Sequence, residues 1–536
     1  MTARTRTDVL LLAGFCAFLF FYGLGQFGLI GADEPRYAQV AREMMLRGDW
    51  VTPTLGGNPW LEKPPLYYWE AGLIYRVIGV SDIAARIPSA VNATLLVVVI
   101  YLFARRFRRG VDVDAALITA SCAGVIGFAR AASMDMALAS TFSVGLLAWW
   151  AWRENKNRLY LLAFYLCMAL GTLAKGPVAP LLAAMIVGVF SLLARERHLM
   201  LKTLWMPGIV LFIVLAMPWY VAVQLANPQF FREFILEHNL ARFSSNLYRH
   251  PQPFWYYIPV SALALVPWIV FVVIALVKSV RVWWSERNSL AGDLETQFRV
   301  FAVCWLIIPG VFFSISQSKL PGYILPCVPA GTILLADYLL RGREDQDIPK
   351  WSAVLHGLVA SAPVVPAVLV AYIVTQHRLP GGRPMVIAVA IAFGLCLAIS
   401  LTLVSRQHLR MLRFVTLIPV ILAIAAVLKL GTIAIDEKLS ARPLALELAR
   451  VETKKLPLAV YGVSRELEYG LAFYRNQAIQ RYDSGNIPST EHLLVAPATW
   501  MDNVAKQTAN RHITLLGEYA PQRAAYYWVA AVEPTP

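Results

Sequence analysis

Two charged pairs bracket one irregular stretch of the chain. Residues 31–69 read GADEPRYAQVAREMMLRGDWVTPTLGGNPWLEKPPLYYW, with Asp33-Glu34 near one end and Glu62-Lys63 near the other. A carboxylate at the lip of a partly desolvated site can act as a base or stabilise a developing positive charge. A lysine held between Trp60 and Pro64-Pro65 can bind a phosphate as a point charge. Asp33 is therefore the first catalytic candidate and Lys63 a candidate phosphate ligand. Glu62 is a candidate catalytic group or, with His238, a ligand for a divalent metal such as zinc, magnesium or manganese. Two ligands are a sparse set, since catalytic zinc usually takes three from the protein.

Other ionisable groups stand at the ends of apolar runs, where charge is costly and often functional. Asp135 lies in ASMDM and Lys175 in AKGP. Lys319 and Tyr323 share the tight SKLPGY loop. The stretch REFILEHNLARFSSNLYRHPQPFWYY (232–257) carries His238, Arg242, Arg249 and His250, and its amphipathic start reads as a lid. Each residue also has a plain structural reading. Asp33 suits a helix N-cap, and Glu34 and Asp135 suit the positive end of a helix dipole. Lys319 and Tyr323 suit headgroup anchoring, and Glu62-Lys63 a surface ion pair.

The elements that must position these groups are membrane helices. The 536 residues are 58% hydrophobic and only 15% charged, against about a quarter charged in soluble proteins. Mean hydropathy is +0.57. Runs of about 20 apolar residues recur, each long enough to cross a bilayer. The pattern predicts thirteen spans, near 9–29, 84–104, 114–130, 135–152, 159–174, 177–194, 203–224, 256–277, 299–316, 321–340, 352–375, 384–404 and 413–433. Alternate loops are strongly basic, as at Arg105-Arg106, Arg153, Arg195, Arg281, Arg341 and Arg406. The positive-inside rule then places the N-terminus in the cytoplasm and the C-terminus outside. The first run has no small-residue cleavage site after it and reads as a retained helix.

This topology collects the candidate residues on the outer face, in two long loops near 30–83 and 225–255 and at short outer turns. Residues 35–48 carry an amphipathic pattern that would lie in the interface, and 66–79 is a second such segment. Residues 1–433 are expected to form the membrane domain. Residues 434–536 alternate strand and helix patterns and are expected to form a small soluble α/β domain outside. The net charge of +15 is concentrated in the cytoplasmic loops, so it reads as topology and not as a nucleic-acid surface. Cys16, Cys122, Cys167, Cys304, Cys327 and Cys396 lie inside apolar runs without metal-ligand spacing and read as small core residues. Neither a P-loop nor a G-x-G-x-x-G string is present, so no nucleotide cofactor is expected. Outer-face chemistry would need a donor already activated in the membrane.

GADEPRY after the first run resembles the signature of the C-type membrane glycosyltransferases, which include the protein O-mannosyltransferases. WLEKPPLYYW, AKGP and SQSKLPGYILP narrow the resemblance to the bacterial branch that adds 4-amino-4-deoxy-L-arabinose to lipid A. The resemblance implies an all-α polytopic membrane fold of about thirteen helices with a C-terminal outer domain. It also implies a donor sugar on undecaprenyl phosphate, a lipid A phosphate as acceptor and a bacterial inner-membrane location. Asp33 matches the family's catalytic aspartate, with Asp135 and Glu62 as further acidic groups. Lys63, Lys319, Tyr323 and Lys175 would bind the donor phosphate, and His238, Arg242 and Arg249 would meet the acceptor. The same fold could instead move another polyprenyl-linked monosaccharide to lipid A, a glycan or a protein. A flippase is disfavoured because transporters group polar residues near the bilayer midplane. An oligosaccharyltransferase is disfavoured because the outer C-terminal region has no W-W-D-type string.

Overall fold

The computed structural model describes residues 3–241, 252–286, 293–345, 349–361, 409–500, 503, 504, 506, 508 and 511–532. The chain divides into two compact units. One comprises Met1–Tyr22, Leu61–Tyr67 and Ile87–Lys429; the other comprises Gly23–Trp60, Tyr68–Arg86 and Leu430–Pro536. Residues 30–83 are thus shared between the two units.

The first unit is helical. Among the described residues, five helices are long and apolar enough to cross a membrane: Asp82–Phe107, Arg158–Lys175, Met206–Ala226, Leu294–Ile315 and Pro321–Arg341. The number rises to as many as eight if each of three bent pairs is one span. Described helices also lie at the other predicted stretches, some shorter or more polar than this criterion. Residues 384–404 lie outside the described residues, as does the end of 352–375. Only 17% of the most apolar window of Met206–Ala226 is buried. Val210, Val214, Val221 and Leu225 are exposed along it, as expected of a helix whose outer side meets lipid tails.

Three predicted spans are not single helices; the 413–433 stretch bends by 59° between Thr416–Lys429 and Thr432–Leu439, near its end, and two others break within their length. The 114–130 stretch breaks at Cys122 into Asp112–Ser121 and Ala123–Ala129, bent by 65°. The 256–277 stretch bends by 116° between Phe254–Ala264 and Ile269–Glu286. Pro267 lies in that second break, and proline both lacks an N–H and disfavours α geometry in the residue before it. The two breaks satisfy each other. The Ala123 amide donates to the Val266 carbonyl at 2.8 Å, and the Trp268 indole donates to Ser121 Oγ at 2.8 Å. Freed backbone groups at membrane depth require such partners. In the same unit, Trp149, Trp150, Phe190 and Phe301 form a buried aromatic core, with Phe301 5.3 Å from Trp149 and 5.2 Å from Trp150. The five cysteines among the described residues are buried free thiols.

The second unit carries the helix Asp33–Arg47. Asp33 and Glu34 occupy its first turn and Arg47 its last, so all three complement the helix dipole. Gly48 ends it at φ 67°, the left-handed geometry that glycine adopts without steric cost. A hairpin of β1 (Thr54–Leu55) and β2 (Asn58–Pro59) follows, and then the helix Leu66–Ile78.

Five more strands form one sheet in the order β4-β3-β5-β7-β6. They are β3 (Leu458–Val460), β4 (Gln480–Arg481), β5 (His492–Pro497), β6 (Ile513–Tyr519) and β7 (Ala524–Val529). β3 pairs in parallel with β4 and β5, whereas β7 is antiparallel to β5 and β6. Alternate residues enter opposite cores. Leu458, Val460, Leu493 and Val495 pack with Leu444, Leu448 and Leu471 of the helices Arg442–Val451 and Arg465–Arg475. Ala459, Leu494 and Ala496 pack on the other face with Tyr482, Val504 and Tyr527. Arg475 grips Glu452 with two bonds, at 3.0 and 2.8 Å, and both side chains are buried.

His492, on β5, is fully buried, 2.6 Å from the Tyr482 hydroxyl through Nε2 and 2.8 Å from the Thr490 carbonyl through Nδ1. Burial holds its pKa below the ordinary value, against the opposing pull of the Thr490 hydrogen bond and with a smaller push from Arg511. The folded ring is neutral and gains a proton on unfolding. Its contribution is therefore present above about pH 6.5 and lost as pH falls toward the folded pKa. Amide exchange of β5 in the full-length chain should accelerate between about pH 7 and pH 5, after correction for intrinsic rates, and less so in His492→Gln. Equal pH dependence in both chains would refute the assignment.

Candidate active site

The predicted residues fall into two groups, one in each unit. In the second unit, Asp33 opens the Asp33–Arg47 helix and is exposed. Its carboxylate accepts a hydrogen bond from Arg36 Nη2 at 2.5 Å, one turn on. The Arg36 guanidinium in turn lies 5.0 Å from the ring of Trp60, 5.2 Å from Tyr37 and 5.6 Å from Tyr469. The aromatic surround holds the cation by ring-face attraction, so Asp33 faces solvent beside a fixed positive charge. Helical spacing places Arg36 beside Asp33, but that local pattern does not disclose the ring from Tyr469, far along the sequence.

Glu34 is different in kind. It is buried, as is Arg86, and the two form a forked ion pair at 3.2 Å through Nε and 2.7 Å through Nη2. Glu34 also accepts the Ile30 amide at 2.8 Å. Sequence reading passed over Arg86; an arginine near the start of an apolar span was the available signal.

In the first unit, Asp135, Lys175 and Tyr323 come together. Lys175 is ion-paired to Asp135, and its ammonium lies 4.7 Å from the Tyr323 ring centroid. Ser133 Oγ donates to the second oxygen of Asp135 at 3.1 Å. Asp135 starts the helix Asp135–Asn155, and Lys175 ends its antiparallel neighbour Arg158–Lys175. Both charges thus complement their helix dipoles, and Gly176 at φ 87° turns the chain away immediately after the lysine. Gly322 lies against Asp135, where a β-carbon would overlap the carboxylate. Lys319 is buried and donates to the carbonyls of Ser316 at 2.6 Å and Gln252 at 3.1 Å. Two of its three N–H donors are thereby engaged.

Glu62 and Lys63 are half-buried in the short irregular run before the helix Leu66–Ile78. His238 is on the π-helical segment Phe231–Ala241. Arg242, Arg249 and His250 lie outside the described residues, as does the side chain of His238. The expected metal pair of Glu62 and His238 therefore rests partly on a group that is not described. Among the described residues, no cluster of three or more His, Cys, Asp or Glu side chains has the geometry to hold a metal ion.

Residues 62–221 match the family model described as dolichyl-phosphate-mannose-protein mannosyltransferase. A relative from Aeromonas hydrophila, named undecaprenyl phosphate-alpha-4-amino-4-deoxy-L-arabinose arabinosyl transferase, is 32% identical over 444 residues, covering 79% of this chain and 78% of its own. The chain belongs to this arabinosyl transferase family. A relative of the same name from Erwinia tasmaniensis is 26% identical over 82% of this chain and 83% of its own. The match to the Photorhabdus laumondii relative is 30% identical and spans 57% of this chain and 54% of the relative. In fold, the chain is similar to the crystal structure of ArnT from Cupriavidus metallidurans bound to undecaprenyl phosphate, with a TM-score of 0.76 and 23% identity over 97% of each chain. The apo structure of that protein gives a TM-score of 0.75 over 98% of each chain. The chain is a helical, multi-pass membrane protein, and the likeness in fold to that solved structure extends over nearly all of it.

Proposed function

We propose that this chain transfers 4-amino-4-deoxy-L-arabinose from undecaprenyl phosphate to a phosphate of lipid A at the periplasmic face of the bacterial inner membrane. The observation that carries this reading is the 32% identity to the Aeromonas hydrophila transferase over 79% of the chain. In this reading, residues 1–433 form a membrane domain of about thirteen spans with a cytoplasmic N-terminus. Residues 434–536 form a periplasmic α/β domain.

The reaction breaks the bond between the anomeric carbon and the undecaprenyl phosphate oxygen. The electron pair leaves with that oxygen, and an oxygen of the lipid A phosphate bonds to the anomeric carbon. The acceptor is already ionised, so no proton need be removed. Asp33 then serves best as fixed negative charge beside the anomeric carbon as it becomes positive. Lys63, Lys319 and Tyr323 receive the phosphate that leaves. Lys175 joins them, oriented by Asp135, whose ion pair keeps the ammonium aimed. Glu62 is a further acidic group, and His238, Arg242 and Arg249 in the 225–255 loop meet the acceptor phosphates. Should a divalent metal bind at Glu62 and His238, it would add positive charge for the leaving phosphate; the steps above need none. The product would carry less negative charge and bind cationic peptides such as polymyxin less well.

Mass spectrometry of lipid A tests the reading in cells that lack this activity but make the donor lipid. Expression of the chain should add one aminoarabinose mass, removable by mild acid as expected of a glycosyl phosphate. An unmodified lipid A at verified expression would overturn the acceptor assignment. Addition of a different sugar mass would overturn the donor assignment.

A further inference from the structure

The exit from the first apolar run, residues 24–28, carries five consecutive backbone carbonyls, and all five are bound by two arginines. Arg86 donates to Leu24 at 2.7 Å, Phe27 at 2.9 Å and Gly28 at 2.9 Å. Arg442 donates to Gly25 and Gln26, each at 3.1 Å. Each guanidinium spends its remaining donors on carboxylates. Arg86 takes Glu34, and Arg442 takes Asp436 at 3.0 and 2.6 Å and Asp82 at 2.9 Å. A guanidinium has five N–H donors in a rigid fork, and in both residues all five are used.

The amides of the same turn are held as well. Gly28 N donates to Asp436 at 2.8 Å, and Leu29 N to the Tyr474 hydroxyl at 2.6 Å. Tyr474 in turn donates its hydroxyl hydrogen bond to Asp82 at 2.7 Å. Ile30 N donates to Glu34, and Ile30 forms a β-bridge with Ser440. A β-carbon at Gly28 would collide with Ser440 Oγ and the Tyr474 hydroxyl, so the two segments are in close contact. Farther along the Asp33–Arg47 helix, Arg42 donates to the Phe473 carbonyl at 2.7 Å and to Asn476 at 3.2 Å, with its guanidinium over the Phe473 ring at 4.2 Å. The helix that begins with Asp33 is thus gripped at its approach and at its middle by residues 436–476.

We infer that part of the C-terminal segment holds a reacting group in place. Asp436, Arg442 and Tyr474, together with Asp82 and Arg86, are positioning residues that set where the Asp33 carboxylate stands. The inference rests on the reading of Asp33 given above. None of these side chains need touch substrate. Displacing a reacting group by about 1 Å can cost roughly 100-fold in rate, and this clamp leaves the turn before Asp33 no freedom to drift.

The test uses the full-length chain in lipid nanodiscs, with aminoarabinosyl undecaprenyl phosphate and lipid A as substrates. Arg442→Gln and Asp436→Asn are compared with Asp33→Asn and with Arg475→Gln. The last breaks a buried pair between the ends of the helices Arg465–Arg475 and Arg442–Val451, with no hydrogen bond to residues 24–34. Two quantities are read: kcat and KM, and amide exchange at Leu29 and Ile30. The clamp variants should exchange these amides faster and lose about tenfold or more in kcat with KM changed by less than about twofold. Arg475→Gln should lose thermal stability but keep kcat. Native kcat in Arg442→Gln beside an inactive Asp33→Asn would overturn the positioning role alone. Equal loss of kcat in Arg475→Gln would reduce the clamp to general stability and overturn it too. An active Asp33→Asn would overturn the reading of Asp33, and the inference with it.

Discussion

Replacing Asp33 with asparagine should slow sugar transfer by about 100-fold or more while leaving the fold nearly intact. Asparagine matches the carboxylate in shape and can still accept the Arg36 hydrogen bond, so only the charge is removed. The aspartate side chain is 57% exposed and its partner is one turn away on the same helix. Such pairs stabilise by about 0–1 kcal/mol. Loss of rate without loss of thermal stability would therefore isolate the chemistry. The measurement is single-turnover transfer from the purified donor lipid to lipid A, with the thermal midpoint taken on the same preparation. A variant that keeps more than about a tenth of the native rate would remove Asp33 from the mechanism.

The adjacent residue should behave in the opposite way. Glu34→Gln leaves Arg86 charged, 1% exposed, and without the carboxylate it is bonded to, with Asp82 as a further carboxylate acting on it. Removing one partner of a buried pair typically costs about 3–5 kcal/mol, because the remaining charge stays desolvated. Replacing Arg86 as well, by Met, removes that charge but strips the carbonyls of Leu24, Phe27 and Gly28 of their partner. An unpaired buried polar group costs about 1–3 kcal/mol, so the double variant should recover only part of the loss. Denaturant midpoints of the solubilised chain would measure this. Native stability in Glu34→Gln would show that the pair contributes little. Full recovery in the double variant would show that the carbonyl contacts are dispensable. Two neighbouring carboxylates thus separate by environment: one exposed and available for chemistry, the other enclosed and structural.

Much of the framework was legible from local pattern. The apolar runs marked helices because only about 20 consecutive apolar residues satisfy a bilayer crossing. Asp33-Glu34-Pro35 marked a helix start, and Gly48 its end, because capping depends on neighbours in sequence. The alternation of strand and helix patterns in residues 434–536 was legible, and Leu458–Val460 and His492–Pro497 are strands there. The two-residue strand Gln480–Arg481 was invisible, because its backbone is extended only through pairing with β3.

Asp33 could be singled out from residue type and context, but the roles of its surroundings could not. Nothing near position 34 announces that its carboxylate belongs to Arg86, 52 residues away. Nor does anything near residues 24–28 announce that their carbonyls divide between Arg86 and Arg442. Lys175 and Asp135 were each legible as charges at helix ends; that they pair with each other follows from the antiparallel packing of their helices. The breaks at Cys122 and Pro267 show the same division. Proline predicts a weakness in a helix, yet which amide meets the freed carbonyl is settled by the neighbour that packs there. Sequence alone determined where apolar helices and charge fall along much of the chain, because those properties are set by a few adjacent residues. Tertiary structure decided which charges are spent on holding the fold and which remain for chemistry, because that depends on burial and on partners the chain brings from far away.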